Sequence, residues 1–334
     1  MRLSRRDLLK LGAGAAAAWA AGASLTDAQA AEAKKPGKKI PIGLQLYSVR
    51  KDCVKDLPNV IRAVAAMGYQ GVEFAGYYGR KAEELRKMLD ASGLKCCGAH
   101  TGLDTLLGDA LKATIEFNKT LGNPYLIVPG MPSKRLASVK AIEDTAKLFT
   151  ELAAKVKPEG MRVGYHAHGG DFRKFDGRTA WDIFYSNVGP EVLMQMDIGN
   201  CIEGGGDPYA ILRKFPGRSA TIHLKEHGGK PGALVGEGDV KWSEVFQLCE
   251  STGCTEWYIV EQESYAGTPL ECVEGCLKNL RKMIEEELGA LEKYKGKAGF
   301  KEEEVRTEQR IETRVGEIEK KILKEIKDVE DILK

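Results

Sequence analysis

Four of the five histidines in this chain fall at the ends of short apolar runs, where acidic residues also gather. His166-Ala167-His168 closes one run and Asp197 another, while His223 is followed by Lys225 and Glu226. Glu261-Gln262-Glu263 ends the last run, and Glu73 and His100 close two earlier ones. Imidazoles with carboxylates form the donor set of a divalent ion, and the same groups take and return protons near neutral pH. Such a mixed nitrogen and oxygen set favours Mn²⁺, Co²⁺ or Zn²⁺, and is compatible with Mg²⁺. Taken singly, each residue has a plain alternative. His166 and His168 suit an exposed strand edge, and Asp197 suits the cap of a following helix. Six such positions on one rim do not reduce to six coincidences.

The elements that must position them follow from the pattern of the text. Strands are expected at Ile42–Tyr47, Gly71–Phe74, Lys95–Ala99, Tyr125–Val128, Arg162–His166, Leu193–Asp197, Ala220–Leu224 and Trp257–Glu261. Between them lie amphipathic patterns, among them Leu57–Met67, Lys81–Ser92, Ala137–Val156 and Leu270–Glu286. Strand–helix alternation requires right-handed crossovers and a parallel sheet. Eight units across residues 40–286 fit a (β/α)₈ TIM barrel, which takes about 250 residues, with its active site at the carboxyl ends of the strands. No GxGxxG follows a strand, and no CxxC is present, so neither a dinucleotide fold nor a zinc knuckle is indicated. The 334 residues carry 50 basic and 48 acidic side chains, a formal charge of +2, which gives no electrostatic footprint for nucleic acid or a membrane surface.

Several segments together resemble a known family. Ile42-Gly43-Leu44-Gln45-Leu46-Tyr47-Ser48-Val49-Arg50, with Gly71-Val72-Glu73-Phe74, resembles the opening of the sugar phosphate isomerase/epimerase group, the xylose isomerase-like barrels. Gly164-Tyr165-His166-Ala167-His168 is similar to that group's Tyr-His-Asn-His strand, with Ala167 where Asn is common. Met196-Asp197-Ile198-Gly199-Asn200, Ile222-His223-Leu224-Lys225-Glu226, Val260-Glu261-Gln262-Glu263 and the loop Gly236-Glu237-Gly238-Asp239-Val240-Lys241-Trp242 match its later parts. The resemblance covers residues 40–283. It implies one divalent metal held by His166, Asp197, His223 and Glu261, with His166 where the family usually has Glu; His168 is the alternative ligand on that strand. It further implies Glu261 and a histidine such as His168 as proton carriers. Lys225 and Glu237 would be substrate or supporting groups, and Glu73 and His100 would hold substrate hydroxyls. The reaction so implied is isomerisation, epimerisation or β-elimination on a sugar, keto-sugar or glycoside.

The two ends differ from the body. Ser4-Arg5-Arg6-Asp7-Leu8-Leu9-Lys10, an Ala/Gly-rich run and Ala28-Gln29-Ala30 resemble a twin-arginine export signal over residues 1–30. The run is too short and weakly apolar for a good membrane anchor, so a periplasmic location is expected, with no membrane span after cleavage. Sugar phosphates are scarce there, which points to an unphosphorylated carbohydrate. Residues 287–300 read as a linker. Over residues 301–334 more than half the side chains are charged, with a thin stripe of Ile311, Val315, Ile318, Ile322, Ile326, Val329 and Leu333. That is a long amphipathic helix, either folded back on its own chain or self-associating; the thin stripe favours a homo-oligomeric coiled coil. Cys249, Cys254, Cys272 and Cys276 suit either disulfides in an oxidising compartment or buried thiols. Two other readings compete. A three-zinc nuclease barrel needs more histidines than five, and a non-catalytic sugar-binding barrel would explain the missing strand-five Glu.

Overall fold

The computed structural model describes residues 40–251 and 254–295. The segment expected as an export signal, 1–30, and the charged segment 301–334 lie outside them. Eight parallel strands form the core: β1 (Ile42–Gln45), β2 (Gly71–Phe74), β3 (Lys95–His100), β4 (Tyr125–Val128), β5 (Arg162–His166), β6 (Leu193–Gln195), β7 (Thr221–Leu224) and β8 (Trp257–Val260). Their order is β6-β5-β4-β3-β2-β1-β8-β7. A bridge between Asp197 and His223 brings the two outer strands together, so the sheet closes into a TIM barrel. Every residue of β1, β2, β4, β7 and β8 is buried, as expected of strands covered on both faces. Below the carboxyl ends the interior is apolar, built from Cys97, Tyr125, Ile127, Leu193, Ala220, Trp257 and Ile259.

Helices α1 (Arg50–Met67), α2 (Ala82–Ser92), α3 (Ala110–Leu121), α4 (Val139–Val156), α5 (Ala180–Asn187), α6 (Ile198–Glu203), α7 (Pro208–Lys214), α8 (Trp242–Ser251) and α9 (Pro269–Lys295) alternate with the strands. Helix α4 shows why. Ser138 caps it by accepting the Ala141 N–H, and Ile142, Ala146, Phe149, Ala153 and Val156 repeat at the spacing of one buried face. Helix α1 starts earlier than Pro58 suggests. The backbone breaks at Asp56 (φ −155°, ψ 78°), whose carboxylate accepts the Asn59 N–H, so Pro58 stands in the first turn of a restarted helix, where no N–H is missed. Helix α9 runs to Lys295, into the stretch expected as a linker.

By its contacts the chain divides between Leu280 and Arg281, with the barrel on the N-terminal side. None of the eight cysteines is in a disulfide: seven are buried thiols and Cys254 is exposed. Among the described residues no helix is long and apolar enough to cross a membrane.

Candidate functional site

Side chains along a barrel strand alternate between interior and exterior, so residues two apart share the interior face. Gln195 and Asp197 follow this rule at β6, and Thr221 and His223 on β7. His166 is the register partner of Gln195, and Gln45 that of Glu73. Two layers result, a polar floor and a ligand layer above it.

The floor centres on Glu73, which has no exposed surface. Its Oε2 accepts from Gln45 Nε2 at 2.9 Å and lies 2.5 Å from His223 Nε2; its Oε1 accepts from Gln195 Nε2 at 2.8 Å. Burial opposes the charge, but His100 and His223 beside it hold the carboxyl far below the usual range. Placing it there requires a bulge in β3: Val72 pairs with Cys96, but Glu73 pairs with Gly98. A Cβ on Gly98 would overlap Oε1 of Glu73.

Above the floor, His166, Asp197, His223 and Glu261 each offer one ligand atom, all within 4.8 Å of one another, and all four residues are buried. His223 Nδ1 lies 2.5 Å from Glu261 Oε2. Burial lowers the His223 pKa, yet Glu73 and Glu261 on its two sides overcome this and raise it to about 10. Burial likewise works against the Glu261 charge, but His223 and Lys225 keep that carboxyl low. Asp197 is the reverse case: burial dominates and pushes it up, with Lys225 offsetting only part. His166 is held neutral by burial and by the neighbouring rings. Asp197 Oδ1 accepts the Asn200 N–H at 2.7 Å, capping α6 as expected. Its Oδ2 is buried and accepts no hydrogen bond, and His223 Nδ1 is 3.8 Å from it. A buried carboxylate oxygen left unpaired inside a ring of imidazole and carboxylate donors fits a divalent cation. A second set, His100, His166 and His223, is also compact. There, His100 Nε2 and His166 Nδ1 already face Gln195 Oε1, at 3.1 and 3.0 Å, so the first set fits better.

The remaining candidates sit elsewhere. His100 is partly open and stacks on His223, with ring centroids 5.5 Å apart. His168 is at the exposed rim, its ring centroid 4.8 Å from that of His166, outside the four-residue cluster. Its backbone N–H is held by Asp171, which also accepts from Tyr165. Lys225 donates to Asn200 Oδ1 at 2.8 Å and pairs with Glu263. Glu73 lies differently from the expectation of a hydroxyl-binding group, because its oxygens are consumed within the floor. Glu237 likewise stands outside the four-residue cluster. It is exposed, and its carboxylate accepts the Leu234 N–H at 3.1 Å. The loop is organised instead by Glu226, which accepts from Gly236 N and from Trp242 Nε1. Gln45, Gln195, Thr221, Asn200 and Asp171 were not singled out from sequence. Gln195 and Thr221 were detectable, each standing two residues before a ligand candidate on the same strand face.

Comparison with known proteins agrees with the barrel fold. Residues 61–294 match the family described as the xylose isomerase-like TIM barrel, and the chain belongs to it. An inosose dehydratase of Serratia proteamaculans is 25% identical over 245 residues, 61% of this chain and 81% of the relative. The crystal structure of a sugar phosphate isomerase/epimerase from Parabacteroides distasonis is similar with a TM-score of 0.64 and 25% identity, covering 73% of this chain and 98% of that one. An L-ribulose 3-epimerase shares the fold at 12% identity and a TM-score of 0.60, over 78% of this chain and 99% of its own.

The floor yields a prediction. Gly98→Ala, by displacing Glu73, should lower unfolding stability by about 2–4 kcal/mol, since overpacking adds to the loss of charged buried hydrogen bonds. Gly102→Ala meets only the exposed Asp104 side chain, at 2.6 Å, and should be nearly neutral. Chemical denaturation of both variants measures the contrast.

Proposed function

We propose that this protein is a divalent-metal-dependent carbohydrate enzyme that removes a proton from the carbon next to a carbonyl. The observation that carries the reading is the unpaired Asp197 Oδ2 within the cluster of His166, His223 and Glu261. A divalent ion bound by these four residues would supply a Lewis acid for the carbonyl and its neighbouring hydroxyl. Glu261, kept ionised by His223 and Lys225, takes the proton. His168, at the rim beside His166, would protonate the departing oxygen. Lys225, ordered by Asn200 and Glu263, provides a cation that orients substrate hydroxyls.

Among reactions sharing that first step, the side chains favour β-elimination of water or of a glycosidic oxygen. Symmetric epimerisation uses two equivalent carboxylates on opposite faces of the sugar, and strand β5 supplies an imidazole where the second would stand. The name of the Serratia relative, a dehydratase, agrees with this choice. Isomerisation or epimerisation is the second reading, supported by the Parabacteroides structure's description. The substrate we propose is an unphosphorylated keto-sugar, cyclic keto-polyol or keto-glycoside, met outside the cytoplasm after twin-arginine export.

Four tests follow from this reading. Purified protein loaded with Mn²⁺, Co²⁺ or Zn²⁺ should retain about one equivalent, which His223→Ala loses; no retained ion in either sinks the proposal. Because protons compete for His223 and Asp197, whose affinities for them are both raised, metal affinity should increase with pH across the neutral range up to about 10, with proton release on binding. Calorimetry in buffers of different ionisation enthalpy reads both effects. In a screen of keto-sugars, keto-polyols and keto-glycosides, Glu261→Gln should lower kcat roughly 10²- to 10⁴-fold; metal binding without turnover of any of them would leave a binding barrel. For export, cell fractionation should find the mature chain in the periplasm, and Arg5→Lys with Arg6→Lys should hold it inside; an unchanged distribution overturns that part.

A further inference from the structure

The hydrogen bonds beneath the ligand layer form a chain whose direction is set at one end. Tyr47 N is a backbone donor and cannot accept, and it reaches Gln45 Oε1 at 3.0 Å. The Gln45 amide is thereby oriented, and its Nε2 must face Glu73 Oε2, as it does at 2.9 Å. The carboxylate can only accept, so the amide end of Gln195 next to Glu73 Oε1 is the NH₂ group. That Nε2 donates to Glu73 at 2.8 Å and to Thr221 Oγ1 at 3.0 Å. The carbonyl end of Gln195 is then turned toward two rings at once, His166 Nδ1 at 3.0 Å and His100 Nε2 at 3.1 Å. An amide oxygen offers no proton, so both ring nitrogens must donate to it.

We infer that Gln195 is a positioning residue that places the proton of His166 on Nδ1 and that of His100 on Nε2, so that His166 presents a bare Nε2 as its ligand nitrogen. One oxygen thus fixes a proton on Nδ1 of His166 and on Nε2 of His100. Left alone, an imidazole exchanges between tautomers, and only a deprotonated nitrogen can ligate a metal. The partner on the far nitrogen of a ligating ring therefore decides how often the ring is ready. The role in metal binding rests on the function proposed above; the proton placement does not, because it follows from the hydrogen bonds alone.

The experiment is a long-range proton–nitrogen correlation spectrum of the full, metal-free chain labelled with 15N-histidine, in which the two tautomers give different patterns. With only five histidines, His100→Gln and His166→Gln variants assign the rings. The expected result is His166 as the Nδ1–H form, with His100 carrying a proton on Nε2. His166 protonated on Nε2 in the unaltered protein overturns the inference, and this reading needs no Gln195 variant to fold. Gln195→Met, similar in length but without the amide, should abolish the fixed Nδ1–H pattern and weaken Co²⁺ binding about 10- to 100-fold. Thr221→Val, which removes only the second acceptor of the amide, should leave both tautomers in place. A Gln195→Met protein that keeps the Nδ1–H pattern, or that loses it with Co²⁺ affinity intact, overturns the assigned role. Correct tautomers in a protein that binds no divalent ion support the proton placement while removing the metalloenzyme reading, so the two failures are distinguishable.

Discussion

A carboxylate with no exposed surface lies at the centre of this barrel, and the rest of the site is arranged around it. Moving a charge of that size out of water costs several kcal/mol unless it is paired and fully hydrogen-bonded. Glu73 meets the condition with Gln45 from β1, Gln195 from β6 and His223 from β7. β1 adjoins β2, but β6 and β7 lie across the barrel, so the contacts from Gln195 and His223 span the lumen. A slip of one residue in any of them would turn its side chains to the other face and leave the charge unpaired. The floor therefore fixes register for the strands that carry the ligand layer. The bulge at β3 and the bare Cα of Gly98 are what that carboxylate requires of its neighbour.

The seam between β6 and β7 shows how the ligand layer takes part in closing the fold. Few backbone bonds cross it: Met194 N–H to Arg218 C=O and His223 N–H to Met196 C=O, at 2.8 Å each. The single bridge pairs Asp197 with His223, two members of the four-residue cluster. Side chains add what the ladder lacks. Lys225 reaches across to Asn200, and Gly199 lets α6 approach the end of β7, where a Cβ would press on Glu226 O and Lys225 Cγ at 2.8 and 2.9 Å. The residues placed for chemistry are thus also those that hold the last pair of strands together.

The barrel was legible because its strands are buried on both sides and so appear as short, nearly continuous apolar runs with sharp ends. Gly71–Phe74, Tyr125–Val128 and Arg162–His166 occur as expected. β6 ends before Asp197 because that residue turns to cap α6, a competing role visible only once the helix start is known. The cluster of His166, Asp197, His223 and Glu261 was legible because histidine and carboxylate at strand ends are conspicuous. The floor was not, because Gln45, Gln195 and Thr221 are uncharged and common, and their importance depends on register. Conversely, Glu73 stands at a strand end beside the others, yet its height in the barrel makes it part of the support. Glu237 shows the limit of motif reading in a glycine-rich loop, where a carboxylate can satisfy its own backbone while Glu226 organises the turn.

The imidazole at strand β5 has a consequence for the kind of reaction. A carboxylate there would be a second base of similar strength to Glu261, and the two could exchange a proton between opposite faces of one carbon. His166 is instead neutral and buried, and its Nδ1 is tied to Gln195, which removes that nitrogen from proton traffic. Under the function proposed above, proton transfer would fall to unlike groups, an ionised carboxylate in the interior and an imidazole at the exposed rim. Such a pair is directional: one group withdraws a proton at depth while the other meets an oxygen nearer to solvent. Elimination needs that polarity, since the bond that breaks lies one carbon beyond the proton removed and the leaving oxygen must be protonated on its way out. The imidazole at the strand-five position is, on that proposal, the feature that favours elimination over symmetric epimerisation.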